Sequence, residues 1–221
     1  MYSMESQAVA TATAVAENVD VIDTNLHDTI IAIDKSQGHY PIDKLDAHVH
    51  NIPHVAISIF LFYGQRLLIQ RRALTKYHSG GLWANTVCTH PRWNESIEAC
   101  AKRRLQEELG VSCEVQKFGE ICYEAKVGHL YENEHVHCLI GHLDTGHAHA
   151  SLLESFNPSE VWEVALLTLP ELHRLIQDHP QRFTEWFKIY LSTYRDLIDN
   201  ALLQRSVNQL CHPIDAGARD E

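Results

Sequence analysis

Residues 89–111 read THPRWNESIEACAKRRLQEELGV. The pattern predicts a helix over 94–109. Asn94 can cap its start, Glu95 and Glu98 suit the positive end of the helix dipole, and Gly110 can stop it. At about 100° per residue, Ile97, Cys100, Ala101, Leu105 and Leu109 share one arc, and Glu95, Lys102, Arg103 and Glu107 share the other. Arg104 and Glu108 fall inside the apolar arc. Burying a carboxylate is costly unless something cationic neutralises it. The pair is therefore either an ion pair that only packs, or part of a site in which Arg104 or a metal ion balances Glu108.

Strands and helices alternate around this helix. Residues 28–34 (DTIIAID) read as a strand, and 54–62 (HVAISIFLF) form a near-continuous apolar run, the pattern of a strand covered on both faces. Residues 66–70 read as another strand, reached through the turn signal Tyr63-Gly64, and 135–143 and 161–167 as two more. Helical patterns follow over 170–177 and 182–203, and a weakly patterned tail begins at Arg205. Mixed order of this kind predicts an α/β sandwich in one domain. Residues 1–26 have no basic n-region and no leucine-rich core, so they read as a flexible extension, not a secretory signal.

The 221 residues are 45% hydrophobic and 21% charged, ordinary values for a globular chain and incompatible with collagen, coiled coil or wholesale disorder. The formal charge of −11 argues against nucleic-acid binding, and no stretch is long and apolar enough for a membrane span. The charge is uneven, however. Between positions 66 and 104 lie Arg66, Arg71, Arg72, Lys76, Arg92, Lys102, Arg103 and Arg104, against only Glu95 and Glu98, a local basicity suited to a small anion. The six cysteines, Cys88, Cys100, Cys113, Cys122, Cys138 and Cys211, form no C-x-x-C pair and read as reduced thiols in a cytoplasm.

Two further places carry chemistry. Period two puts Glu132, Glu134, Val136, Cys138 and Ile140 on one strand face. Either both glutamates point inward, where a divalent cation would resolve their repulsion, or the strand starts at His135 and they are solvated loop residues. Upstream lie His48, His50 and His54, and His90 follows in VCTHP; imidazoles with carboxylates suit Mn²⁺, Zn²⁺ or Fe²⁺ better than Ca²⁺. Cys88 sits in the same loop two residues before His90, in the basic third of the chain, where its thiol can be tuned.

The segment 89–111 resembles the Nudix box, G-x5-E-x7-R-E-U-x-E-E-x-G-U. Glu95, Arg103, Glu107, Glu108, Gly110 and Val111 match; Thr89 replaces the first glycine, and Arg104 replaces the first glutamate of the REUxEE run. That glutamate normally helps hold metal for diphosphate hydrolysis, so its loss argues against ordinary hydrolysis. With LLIQRRALTKYHSGGLWANTVCTHP (67–91) and YENEHVHC (131–138), the altered box resembles the type 1 isopentenyl-diphosphate delta-isomerases over about residues 28–200. The resemblance implies a Nudix-type α/β/α sandwich with a mixed sheet, one domain over 27–203, and a tail over 204–221.

By the same resemblance, His48, His54, His90, Glu132 and Glu134 ligate a divalent ion, Mn²⁺ or Zn²⁺, with His50 as an alternative ligand. Glu108 would hold a second ion, Mg²⁺, that bridges to the substrate diphosphate. Lys44, Arg72, Lys76 and Arg104 would grip the diphosphate, and Trp186 would face the reacting carbons. Cys88 and Glu134 would be the catalytic pair, supported by Tyr123. The implied partner is a small-molecule diphosphate, bound by a monomer or weak homodimer. Two alternatives stay open: a Nudix hydrolase of a nucleoside diphosphate derivative, and a non-catalytic metal-binding protein on the same fold.

Overall fold

The computed structural model describes residues 28–143 and 156–210. The expected extension over 1–26 and the last part of the expected tail, 211–221, lie outside the described residues. Nine strands form one mixed sheet: β1 (Thr29–Ile33), β2 (His39–Asp43), β3 (His54–Tyr63), β4 (Arg66–Arg72), β5 (Trp83–Ala84), β6 (Val87–Thr89), β7 (Val115–Val127), β8 (Leu130–Leu143) and β9 (Val161–Thr168). Among the described residues the α-helices are α1 (Lys44–Val49), α2 (Ile97–Leu109), α3 (Leu169–Asp178), α4 (Glu185–Ser192) and α5 (Arg195–Leu210).

The apolar run at 54–62 becomes β3, and its burial on both faces explains the absence of polar alternation. It pairs in parallel with β8 along its whole length, from His54 opposite Glu134 to Tyr63 opposite Leu143. Its other edge is shared in turn by β1, β6 and β4. Even-numbered Ala56, Phe60 and Phe62 pack with Leu172, Trp186, Phe187, Tyr190 and Ile198 from α3, α4 and α5. Odd-numbered Ile57, Ile59 and Leu61 pack with Cys100, Ala101, Leu105 and Leu109 of α2. The result is the expected α/β/α sandwich. Among the described residues no helix is long and apolar enough to cross a membrane.

Several element bounds differ from the sequence reading. Helix α2 starts at Ile97, capped by Ser96, whose hydroxyl accepts from the Ala99 N–H at 3.1 Å. Asn94 instead turns the chain with φ 66°, and Glu95 accepts the Arg92 N–H and closes a two-pronged bond with Arg103 at 2.6 and 2.7 Å. Gly110 ends the helix in the left-handed region, as expected. Strand β8 begins at Leu130, five residues before the predicted start, because β7 pairs with it from Val127 opposite Leu130 onward.

The single helix predicted over 182–203 is two helices. Phe183 is extended and bridges to Trp83, which delays α4 until Glu185. The Tyr194 hydroxyl donates to the Cys122 carbonyl at 2.8 Å and pins the break between α4 and α5 against β7. Helix α5 then carries the backbone of 204–210, read from sequence as tail, on to Leu210.

Phe60 is fully buried between β3 and α4, and its ring meets Phe118 and Tyr190. The Phe60→Ala variant is expected to lose about 3–5 kcal/mol of stability through the cavity it leaves. Urea unfolding should show the midpoint falling with an unchanged slope.

Candidate active site

Strand β8 alternates buried and half-buried residues from Leu130 to Cys138, which turns Glu132 and Glu134 inward. They are 2% and 3% exposed. The register then sets their neighbours. Glu134 is flanked by His54 on β3 and by Tyr123 on β7. The Tyr123 hydroxyl donates to Glu134 Oε2 at 2.7 Å, and His90, just beyond β6, brings Nε2 to 2.8 Å from Glu134 Oε1.

His48 comes from α1, a short helix whose start is fixed by Asp43, which accepts from the Leu45 and Asp46 N–H groups. His48 Nδ1–H donates to the Lys44 carbonyl and His54 Nδ1–H to the Ile52 carbonyl, both at 2.7 Å. Each ring therefore turns Nε2 inward, where it has no hydrogen-bond partner: His48 Nε2 lies 3.6 Å from Glu132 and His54 Nε2 lies 3.8 Å from Glu134. A metal-binding histidine usually has its other ring nitrogen held from behind in this way, by a carbonyl that fixes the tautomer.

Ligand atoms of His48, His54, His90 and Glu134 lie within 4.8 Å of one another, as do those of His48, His78 and Glu132. Orphaned imidazole nitrogens facing two buried carboxylates fit a divalent cation. Burial drives the His90 pKa well below its usual value, which keeps its ring neutral. For His48, burial lowers the pKa, but the contact with Glu132 outweighs it and raises the value, so a proton competes with a cation for this nitrogen.

Cys88 sits on β6 with Sγ 3.8 Å from the Tyr190 hydroxyl. Burial, reinforced by the charges of Glu134 and Glu132, pushes its pKa well above the usual thiol value. The Tyr190 ring stands edge-on to Tyr123 at 5.8 Å, so two phenols span the space between the thiol and Glu134. Trp186 is buried at the same wall, with the Arg72 guanidinium 5.3 Å from its ring centre and the His78 ring edge-on at 5.8 Å.

A second set of charges fills the other half of the cleft. Arg104 reaches Glu108 Oε1 at 2.7 Å, Glu160 at 2.9 Å and Glu107 at 2.8 Å. Gln70 donates to Glu108 Oε2 at 2.7 Å, and Lys76 lies 2.6 Å from Glu160. Arg72 Nε is buried without a hydrogen-bond partner, and Lys44 stands over the Tyr77 ring at 5.0 Å. One cleft of about 490 Å³ is lined by both sets, including Lys44, Arg72, Lys76, Cys88, Glu134 and Trp186.

The structure thus brings together every site residue named from the sequence except His50. That ring is exposed and its Nδ1 bonds the Asp46 carbonyl at 3.0 Å, because two residues on, at the C-cap of α1, the helical turn points it away from His48. Sequence reasoning missed His78, Gln70, Glu160 and Tyr190. No spacing could flag His78, which sits in an irregular loop. Glu160 lies just before β9 and reaches Arg104 only in the folded chain.

A mixed sheet with a charged helix on one face and a carboxylate-lined cleft defines a NUDIX-domain protein, and the NUDIX domain model matches residues 52–187. A crystal structure from Deinococcus radiodurans has a TM-score of 0.54 at 15% identity, covering 69% of this chain and 90% of that one. A Nudix hydrolase from M. smegmatis scores 0.50 at 15% identity, covering 77% and 94%. Both show the fold alone. Curated isopentenyl-diphosphate Delta-isomerases are far more similar. The one from Cereibacter sphaeroides is 45% identical over 72% of this chain and 88% of its own, and that from Ruegeria pomeroyi is 44% identical over 72% and 86%. The chain belongs to the isopentenyl-diphosphate Delta-isomerase family within the NUDIX proteins.

Two outcomes follow from the site geometry. An ion present at 100 times its dissociation constant stabilises a fold by about 2.7 kcal/mol. Thermal melts before and after chelation should therefore differ by about 5–10 °C for a chain of this size; superimposable melts would show that no ion is bound. In the chelated protein, a thiol held protonated by burial is a poor nucleophile. At pH 8, iodoacetamide should label exposed Cys122 well before Cys88 in peptide mass mapping.

Proposed function

We propose that this cleft interconverts isopentenyl and dimethylallyl diphosphate, with Cys88 and Glu134 as the proton-transfer pair. The observation that carries the reading is the meeting of a protonated thiol, a buried carboxylate and a tryptophan face in one cleft with the Arg72 guanidinium, whose Nε has no hydrogen-bond partner. The strong similarity to curated isomerases supports it.

The chemistry follows from the substrate. An unactivated alkene is a weak base, so protonating it needs an acid in a site that excludes water. The proton adds to the terminal methylene carbon and leaves a tertiary cation on the adjacent carbon. A proton then departs from the carbon on the other side, and the double bond has moved by one position. Water would trap the cation; the Trp186 face tolerates it without attacking. Cys88 and Glu134 give and take the two protons in either direction. Tyr123 holds Glu134 in place through its 2.7 Å bond, and Tyr190 stands against the thiol. His48, His54, His90, Glu132 and Glu134 would hold a divalent ion, which would supply positive charge to offset the paired carboxylates and to make a group at Glu134 more acidic.

The diphosphate is an anchor whose binding energy orients the small hydrocarbon end. Arg72, with its unsatisfied Nε, is the readiest donor. Lys44, Lys76 and Arg104 would complete the grip, and Glu108 would hold a Mg²⁺ ion that supplies charge to offset the diphosphate. Arg104 in place of a Nudix-box glutamate argues against the hydrolase reading, because it puts a cation where hydrolysis needs a metal ligand. We further read the substrate as a free small molecule, with neither nucleic acid nor a membrane surface as partner.

Cys88→Ala is expected to slow isomerisation by about 10²–10⁴-fold, the usual contribution of a general acid or base. Proton NMR of isopentenyl diphosphate in D₂O with Mg²⁺ checks this. Parent protein should carry deuterium into the allylic methyl and methylene positions, and the variant should not. Exchange at the parent rate in the variant removes Cys88 from the mechanism.

A further inference from the structure

His78 lies on the loop between β4 and β5 and belongs to none of the residues assigned a role above. We propose that His78 is a sixth protein ligand of the divalent ion, closing its coordination shell; the inference rests on the metal reading of the site given above.

Three observations carry it. His78 Nε2 lies 3.0 Å from Glu132 Oε1, yet Glu132 Oε1 is a buried atom with no hydrogen-bond partner. The two atoms converge without the geometry of a hydrogen bond, as two donors to a common cation do. Second, the ligand atoms of His48, His78 and Glu132 lie within 4.8 Å of one another and form a group that shares His48 with the group of His48, His54, His90 and Glu134. With metal–ligand distances of about 2.0–2.2 Å, donors on opposite sides of one ion are about 4–4.4 Å apart. His48 is common to both groups, and its Nδ1 is committed to the Lys44 carbonyl. The single remaining lone pair on Nε2 serves one ion; since the two groups share only His48 within that spread, binding of that ion would draw His78 and Glu132 a short way toward His54, His90 and Glu134.

Third, the loop is shaped to aim the ring. Ser79 adopts φ 52° and Gly81 φ 76°, and a Cβ on Gly80 would meet the Leu74 carbonyl oxygen at 2.7 Å. His78 Nδ1 is 3.2 Å from the Ser79 hydroxyl, a contact behind the ring that orients Nε2 toward Glu132. The same loop places Lys76 beside Glu160 and sets the His78 carbonyl 3.4 Å from Arg72 Nη2, so the metal and diphosphate halves share one segment.

Four imidazoles and two carboxylates make a six-donor set. Such a set favours ions that accept octahedral geometry, such as Mn²⁺, Fe²⁺ or Co²⁺, over tetrahedral Zn²⁺.

The test uses the full chain, stripped by chelation and titrated with Co²⁺ against a chromophoric competitor, while visible absorption reports the coordination of bound Co²⁺. Parent protein should bind one equivalent tightly. His78→Ala should bind Co²⁺ about 10–100-fold more weakly, with an altered d–d spectrum. His78→Asn, which keeps a hydrogen-bond donor but not the imidazole, should bind equally weakly; it also serves if the alanine variant does not fold. Affinity within twofold of parent in His78→Ala, or parent affinity restored by His78→Asn, overturns the proposal, the latter by reducing His78 to a hydrogen-bond donor that positions Glu132. Parent protein that takes up no Co²⁺ overturns the metal reading itself.

Discussion

Two nearly buried carboxylates, two residues apart on one strand, are the constraint around which this cleft is built. Each would lose several kcal/mol on leaving water uncompensated, and their mutual repulsion in a low-dielectric setting adds to the cost. The chain answers with imidazoles from four separate segments. His48 comes from α1, His54 from the first residue of β3, His90 from the end of β6 and His78 from the β4–β5 loop. The register of β3 on β8 is therefore also a chemical register, because slipping it by one residue would turn Glu132 and Glu134 to the opposite face.

The other half of the cleft solves the same problem differently. Arg104 is 5% exposed and is shared by three carboxylates, while Gln70 takes the free oxygen of Glu108. Removing one member of such a buried set costs about 3–5 kcal/mol, because it strands the others.

Much of the frame was legible in the chain. The unbroken apolar run at 54–62 announced a doubly covered strand, and the inward arc of α2 correctly marked Arg104 and Glu108 as buried. Strand β7 was invisible, because its residues are mostly exposed or half-buried and its apolar positions are too few to set a period. Missing β7 left the start of β8 undecided, and with it whether Glu132 and Glu134 lay in a loop or in the core. The break at Thr193 and Tyr194 was hidden for a similar reason. A helical period continued through it, and only the bond from Tyr194 to the Cys122 carbonyl shows why the axis changes there.

By itself the sequence determined the α/β class, the two-faced central strand, the charged inward arc of α2 and the family to which its motifs belong, since all of these are written in local periodicity and spacing. Only the tertiary structure decided which of the described histidines turn inward. His50 faces solvent one residue pair from His48, and His135 and His137 pair with Glu120 on the outside of the strand that carries Glu132 and Glu134 inside. The same imidazole is a surface group or a candidate ligand according to strand register and loop dihedrals. Those are fixed by contacts between segments far apart in the chain, which no local pattern records.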